Sequence, residues 1–103
     1  FDDCYHDNLA AARLLADLGL PAIFFVPTAF VGTDHQFAWD RHLPPLSNLG
    51  WADLREMARL GHDIGSHTVN HVNLGAVGPD EARSELLLSR LELEGRLERP
   101  CHF

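Results

Sequence analysis

A short apolar run is the feature that most limits what this chain can fold into. Residues 22–26 read Ala-Ile-Phe-Phe-Val without a polar side chain, which is typical of a strand buried on both faces of a parallel sheet. Gly19 separates this run from an earlier segment in which Leu9, Ala12 and Leu15 recur at helical spacing. A buried strand after an amphipathic helix predicts an α/β fold.

The rest of the chain continues this alternation. We predict helices at residues 8–18, from residue 51 to Gly61 and from Pro79 to Pro100, and strands at residues 1–3 and 62–65. Asp7 is expected to cap the first helix. The third helix is expected to bury a stripe of Ala82, Leu86, Leu93 and Leu97. Parallel strands that alternate with helices are typical of a parallel sheet or a (β/α) barrel.

Length and charge exclude several classes of protein. The 103 residues suffice for one domain, and a net charge of -7 disfavours a nucleic-acid partner. No apolar run approaches the roughly 18 residues that a membrane segment needs, and nothing in the composition indicates an oligomeric state. The chain starts without a Met inside a candidate motif and stops as a new apolar run begins. We therefore expect it to be truncated at both ends.

Two short motifs carry the chemistry. Asp2 and Asp3 end the first predicted strand, and His67 and His71, four residues apart, follow the strand at 62–65. The carboxyl ends of parallel strands share one rim, so the two motifs can meet there. Two imidazoles on one helical turn and a carboxylate can hold a metal, and a second carboxylate can act as a base. This set predicts hydrolysis by a metal-bound water, with the two acids in different roles.

Each motif also has a simpler interpretation. In a chain with seven histidines one such spacing arises easily by chance, and two adjacent acids often form a solvated turn. Only the combination of the two motifs on one rim favours a metal site. The remaining histidines are predicted to be surface or structural residues, namely His6, His35, His42, His62 and His102.

Three other residues have open interpretations. Trp39 lies in the long irregular stretch predicted for residues 27–50, where it could stack on a sugar ring or fill the core. Cys4 and Cys101 are predicted to be free cysteines packed as small hydrophobic residues. Cys4 has an alternative interpretation as a soft metal ligand, because it follows the two acids.

The two motifs resemble those of a known family. Phe1-Asp2-Asp3 is similar to the first motif of the polysaccharide deacetylases (the NodB homology domain, carbohydrate esterase family four). The segment from Ser66 to His71 is similar to their His-Ser/Thr-x-x-His motif, and the flanking residues 61–74 and 21–28 resemble the family as well. One departure is Cys4, where the family most often has Gly.

The resemblance implies a fold, a cofactor and a reaction. The fold is a distorted (β/α) barrel, of which residues 1–103 would form about the first half, the N-terminal part of the catalytic domain. The metal is divalent, commonly zinc, with Asp3, His67 and His71 as ligands and Asp2 as the general base. The reaction is hydrolysis of a linear amide bond, which removes N-acetyl groups from a cell-wall, capsular or exopolysaccharide glycan. The expected location is extracytoplasmic or in the cell envelope.

Alternatives to this function remain at the level of the sequence. The histidine acid and the orienting arginine that the family uses do not lie in this chain. A non-catalytic metal- or glycan-binding fragment of the same fold would contain the same residues, and an O-acetyl esterase or a cyclic-amide hydrolase could use the same ligands. A complete barrel needs on the order of 200 residues or more.

Overall fold

The computed structural model describes residues 1–103 as two parallel strands packed against three helices. The helices are α1 (Asn8–Asp17), α2 (Trp51–Arg59) and α3 (Pro79–Leu97), and the strands are β1 (Ile23–Val26) and β2 (Asp63–Ser66). Short 3-10 turns at Thr28–Phe30 and Ala38–Asp40 interrupt the long loop between β1 and α2. Ile23 pairs with Asp63 and Val26 with Ser66 in a parallel register, which confirms the predicted α/β class.

Both ends of the chain lie beside this strand pair. Phe1 donates its amino group to the carbonyl of Ile23 at 3.0 Å and accepts from the amide of Phe25 at 2.8 Å, which is the ladder pattern of a parallel strand. At the opposite edge, the amide of Ser66 donates to the carbonyl of Phe103 at 2.8 Å. The first motif therefore starts next to β1, and the histidine motif follows β2 on the same rim.

The core lies between the strands and the inner faces of the helices. Its largest fully buried side chains include Phe24 of β1, Leu54 and Met57 of α2, and Leu93 of α3. His62 is buried with them, and its ring accepts from the amide of Ala22 at Nδ1 and donates to the carbonyl of Ala12 at Nε2. Its structural role agrees with the sequence-based interpretation. None of the helices is both long enough and apolar enough to cross a membrane.

Two predictions about the helices are wrong. Asp7 occupies the predicted N-cap position of α1, but its backbone is helical and its side chain makes no capping hydrogen bond. Leu86 is 45% exposed, whereas Glu85 and Ser89 lie buried on the inner face of α3. The reason is that this part of α3 packs against the polar histidine loop rather than against apolar strand residues, so its inner face supplies hydrogen-bond acceptors.

A candidate metal centre at the strand ends

A tight turn at Asp3 and Cys4 gives the two adjacent acids different surroundings. Asp3 and Cys4 both adopt left-handed backbone conformations, with φ of 70° and 65°, which is uncommon for residues other than glycine. The turn leaves Asp2 exposed, brings Asp3 to the rim and buries Cys4 to 1% exposure. Burial against the core raises the pKa of the Cys4 thiol to about 12. The Cys4 thiol is buried in the core and is not among the donor atoms that converge with Asp3, so the alternative interpretation of Cys4 as a ligand is not supported.

The histidine motif forms a loop and not the predicted helical turn. Thr68 and His71 have left-handed φ values of 65° and 55°. The amide of His67 donates to the carbonyl of Val26, and the carbonyl of Thr68 accepts from the amide of Thr28. Backbone groups of this loop therefore hydrogen-bond to residues at and just after the end of β1. In a helical turn they would instead bond to residues four positions away in the same segment.

Asp3, His67 and His71 converge on one point. Asp3 Oδ1 lies 2.9 Å from His71 Nε2 and 3.4 Å from His67 Nε2, and the three donor atoms lie within 4.8 Å of one another. Two ligands at the usual distances from a tetrahedral zinc are about 3.3 Å apart. The three side chains thus have the chemistry and spacing to hold one ion. All three are partly exposed, which leaves room for a substrate and water.

An aromatic wall stands beside His71. Phe37 and Trp39 from the long loop stack at 4.8 Å between ring centroids, and their rings lie 4.6 Å and 5.3 Å from that of His71. Phe37 is buried, but the Trp39 indole is 55% exposed. The sequence alone leaves Trp39 open between a sugar-stacking and a core role, and it gives no particular reason to expect Phe37 at the site. The signal that the sequence offers is weak, namely three aromatic residues, Phe30, Phe37 and Trp39, within ten positions of the long loop.

Tyr5 ties this loop to the first motif. Its hydroxyl donates to Asp40 Oδ2 at 2.8 Å and accepts from the amide of Phe37 at 3.1 Å. Burial and the neighbouring Asp40 carboxylate raise the pKa of Tyr5, against the effect of the Phe37 amide. The phenol therefore stays neutral and can serve both hydrogen bonds, which fixes the aromatic wall relative to Asp3.

The family model described as polysaccharide deacetylase matches residues 1–103. The chain belongs to the polysaccharide deacetylase family. A curated relative is YxkH of Bacillus subtilis (strain 168), whose name describes it as a candidate polysaccharide deacetylase. It is 30% identical over 91 residues, which are 87% of this chain and 28% of YxkH.

Three solved structures share the fold of this family member, and two of them are described as deacetylases. The deacetylase PplD of Streptococcus pyogenes, in complex with acetate, matches 98% of the chain with a TM-score of 0.82 and 26% identity. IcaB of Ammonifex degensii and the BpsB deacetylase domain of Bordetella bronchiseptica are 21% identical, with TM-scores of 0.77 and 0.72 over 98% of the chain. The chain spans 41%, 45% and 51% of these three structures. The prediction of a partial (β/α) barrel is therefore confirmed.

Proposed function

We propose that residues 1–103 form the N-terminal, metal-binding part of a hydrolase domain that removes N-acetyl groups from a polysaccharide or oligosaccharide. The observation that supports this most directly is the convergence of Asp3, His67 and His71 at the rim of a deacetylase-like fold. Two imidazoles and one carboxylate are a ligand set of catalytic zinc sites, which keep a position open. Zinc is the metal we propose for this site.

The residues of this chain have two roles in the proposed reaction, as metal ligands and as the general base. Asp3, His67 and His71 would hold the ion, which supplies Lewis acidity that polarises the acetyl carbonyl and activates water. Asp2 is the general base that accepts a proton as water attacks the amide carbon. Its exposed carboxylate lies outside the group of three ligands, so it is free to take that proton. The amine then leaves with a proton from an acid outside this chain.

The proposed substrate is an acetylated glycan in the cell envelope or outside the cytoplasm. The exposed Trp39 indole beside His71 supports this choice, because the apolar face of a sugar ring packs well on an aromatic surface. The acetate in the PplD structure is the product that deacetylation would release. Net charge and the absence of a basic stripe continue to disfavour nucleic acid.

Acetate release by the full-length protein tests this proposal. The protein would be stripped with a chelator, reloaded with zinc and given an N-acetylglucosamine oligomer, an O-acetylated sugar or a cyclic amide. Acetate is measured for the first two substrates, and ring opening for the cyclic amide, which releases no acetate. We expect zinc-dependent acetate release from the oligomer and its loss in His71→Ala. Preference for the ester or the cyclic amide would identify one of those hydrolases instead. Zinc binding without turnover of any of the three would favour a non-catalytic binding protein.

A further inference from the structure

Glu85 is a buried carboxylate that the proposed reaction does not use. It lies on the inner face of α3, is 9% exposed and takes part in none of the ion pairs of the chain. A buried charge without a cation is costly unless hydrogen bonds replace its hydration. The partners of Glu85 therefore indicate why the chain has an acid here.

All of those partners belong to the segment between the two histidines. Glu85 Oε2 accepts from the backbone amides of Val69 and Asn70, both at 2.8 Å, and Oε1 accepts from Asn70 Nδ2 at 2.7 Å. Burial alone would raise the pKa of Glu85, but these three hydrogen bonds outweigh it and lower the pKa. The carboxylate is thus ionised at neutral pH and accepts from two successive backbone amides, as anions do in backbone nests.

The two histidines depend on this contact to different degrees. His67 comes directly after β2, and its amide donates to the carbonyl of Val26 at the end of β1. His71 comes directly after Val69 and Asn70, whose amides Glu85 accepts, and the carbonyl of Val69 also accepts from the amide of Ala29. Glu85 therefore holds the backbone immediately before His71, whose ring contacts Asp3 and the aromatic wall. If the amides of Val69 and Asn70 lost their acceptor, two partly buried donors directly before His71 would be left without a partner, and the backbone there would shift to satisfy them.

We propose that Glu85 is a positioning residue of the metal centre, which holds His71 in its ligand position through the amides of Val69 and Asn70. This inference rests on the proposed metal site. Residues that orient metal ligands without touching the ion contribute about 10- to 100-fold to metal affinity. Glu85 would act in that way from α3, without touching the ion.

Glu85→Gln in the full-length protein tests the proposal, with Glu94→Gln as the matched control. Glu94 also lies on α3 and accepts from a loop amide, that of Cys101 at 3.1 Å, but it serves no residue of the site. We expect Glu85→Gln to weaken zinc binding by roughly 10- to 100-fold in a chelator competition and to change the visible spectrum of the Co²⁺-loaded protein. Glu94→Gln should lower the thermal stability of the metal-free protein while leaving affinity and spectrum unchanged.

Three outcomes would overturn the inference. Wild-type affinity and spectrum in Glu85→Gln would show that the carboxylate does not position His71, and equal losses in both variants would show a general effect of α3. No zinc binding by the unmodified protein would overturn the proposed function and this inference with it. If Glu85→Gln does not fold, Glu85→Asp decides, because the shorter side chain keeps the charge but withdraws the carboxylate from the backbone amides of Val69 and Asn70. It should weaken zinc binding roughly fivefold, and unchanged affinity would refute the proposal.

Discussion

Phe25 and Gly65 face each other across the two parallel strands, and the Phe25 ring occupies the space that a side chain at position 65 would need. A Cβ atom there would lie 2.7 Å from Cδ1 of Phe25, well inside van der Waals contact. The Phe25 ring lies 6.3 Å from that of His67. Gly65 therefore allows the Phe25 ring to pack closely against β2, just before the histidine loop.

We expect Gly65→Ala to destabilise the protein by about 1–3 kcal/mol, because the added methyl group forces the Phe25 ring out of its packed position. Gly95→Ala is the control, since Gly95 lies within α3 with no atom within 4 Å of its Cβ position. That change should stabilise the protein by about 0.5–1 kcal/mol. Urea unfolding measures both, and a neutral Gly65→Ala would show that the ring adjusts freely.

The sequence predicted the elements because their signals are local. The apolar residues of β1, the left-handed Gly19 after α1 and the left-handed Gly61 after α2 all lie close to their predicted places. The inner face of α3 was missed because Glu85 and Ser89 bury polar atoms against polar partners. A hydrophobic pattern cannot report burial of that kind, since the partners are distant in sequence.

The site shows the same division between local and distant information. The two motifs and their places after strands predicted that Asp3, His67 and His71 lie close together, and the structure brings the three together. The conformation of the histidine loop was not predictable from spacing alone, because four residues apart fits a helical turn as well as a left-handed loop. The loop conformation depends on acceptors such as Glu85 and the carbonyl of Val26, which only the folded chain supplies.

Cys4 should make stability fall in alkaline solution. Burial raises the pKa of its thiol from 9.0 to about 12, against the hydrogen bond to Leu49, and the carboxylates of Asp53 and Asp3 add to the rise. Between these values the folded state binds more protons than the unfolded state. The contribution of this thiol to the free energy of unfolding is therefore fully present below pH 9 and is lost as the pH rises towards 12. The expected slope is about 1.4 kcal/mol per pH unit.

Urea unfolding at several pH values between 8 and about 11 checks this slope, with Cys4→Ala as the comparison. The variant loses buried contacts and should be less stable at pH 8, but its stability should depend less on pH. Tyr5 is present in both proteins and cancels in the difference, and the chain contains no lysine. Parallel curves for the two proteins would contradict the prediction.

Trp39 should contribute to glycan binding more than to turnover. We expect Trp39→Ala to raise KM for an acetylated oligosaccharide roughly 3- to 10-fold through the lost stacking surface, with kcat changed far less. Trp51→Phe is the matched control, since Trp51 begins α2 and packs near Arg96, away from the metal site. Steady-state kinetics with zinc-loaded protein measure both. Equal KM values for Trp39→Ala and the unmodified protein would exclude a sugar platform at this residue.

Metal content and turnover, measured together, should distinguish the roles of the two adjacent acids. The Asp3 carboxylate contacts both histidines, whereas the Asp2 carboxylate is exposed and lies outside that group. Asp3→Ala should therefore release the metal and abolish activity together. Asp2→Asn keeps the shape of the side chain but cannot accept a proton. Its metal content should survive while kcat falls by roughly two to four decades.

Elemental analysis beside kcat for each variant of the full-length protein decides between the roles. Asp3→Asn serves as the isosteric partner of Asp2→Asn, so that the comparison does not depend on side-chain size. If Asp2→Asn empties the site and Asp3→Asn leaves it full, the roles of the two acids are reversed. That result would also mean that the left-handed turn at Asp3 presents the base rather than the ligand.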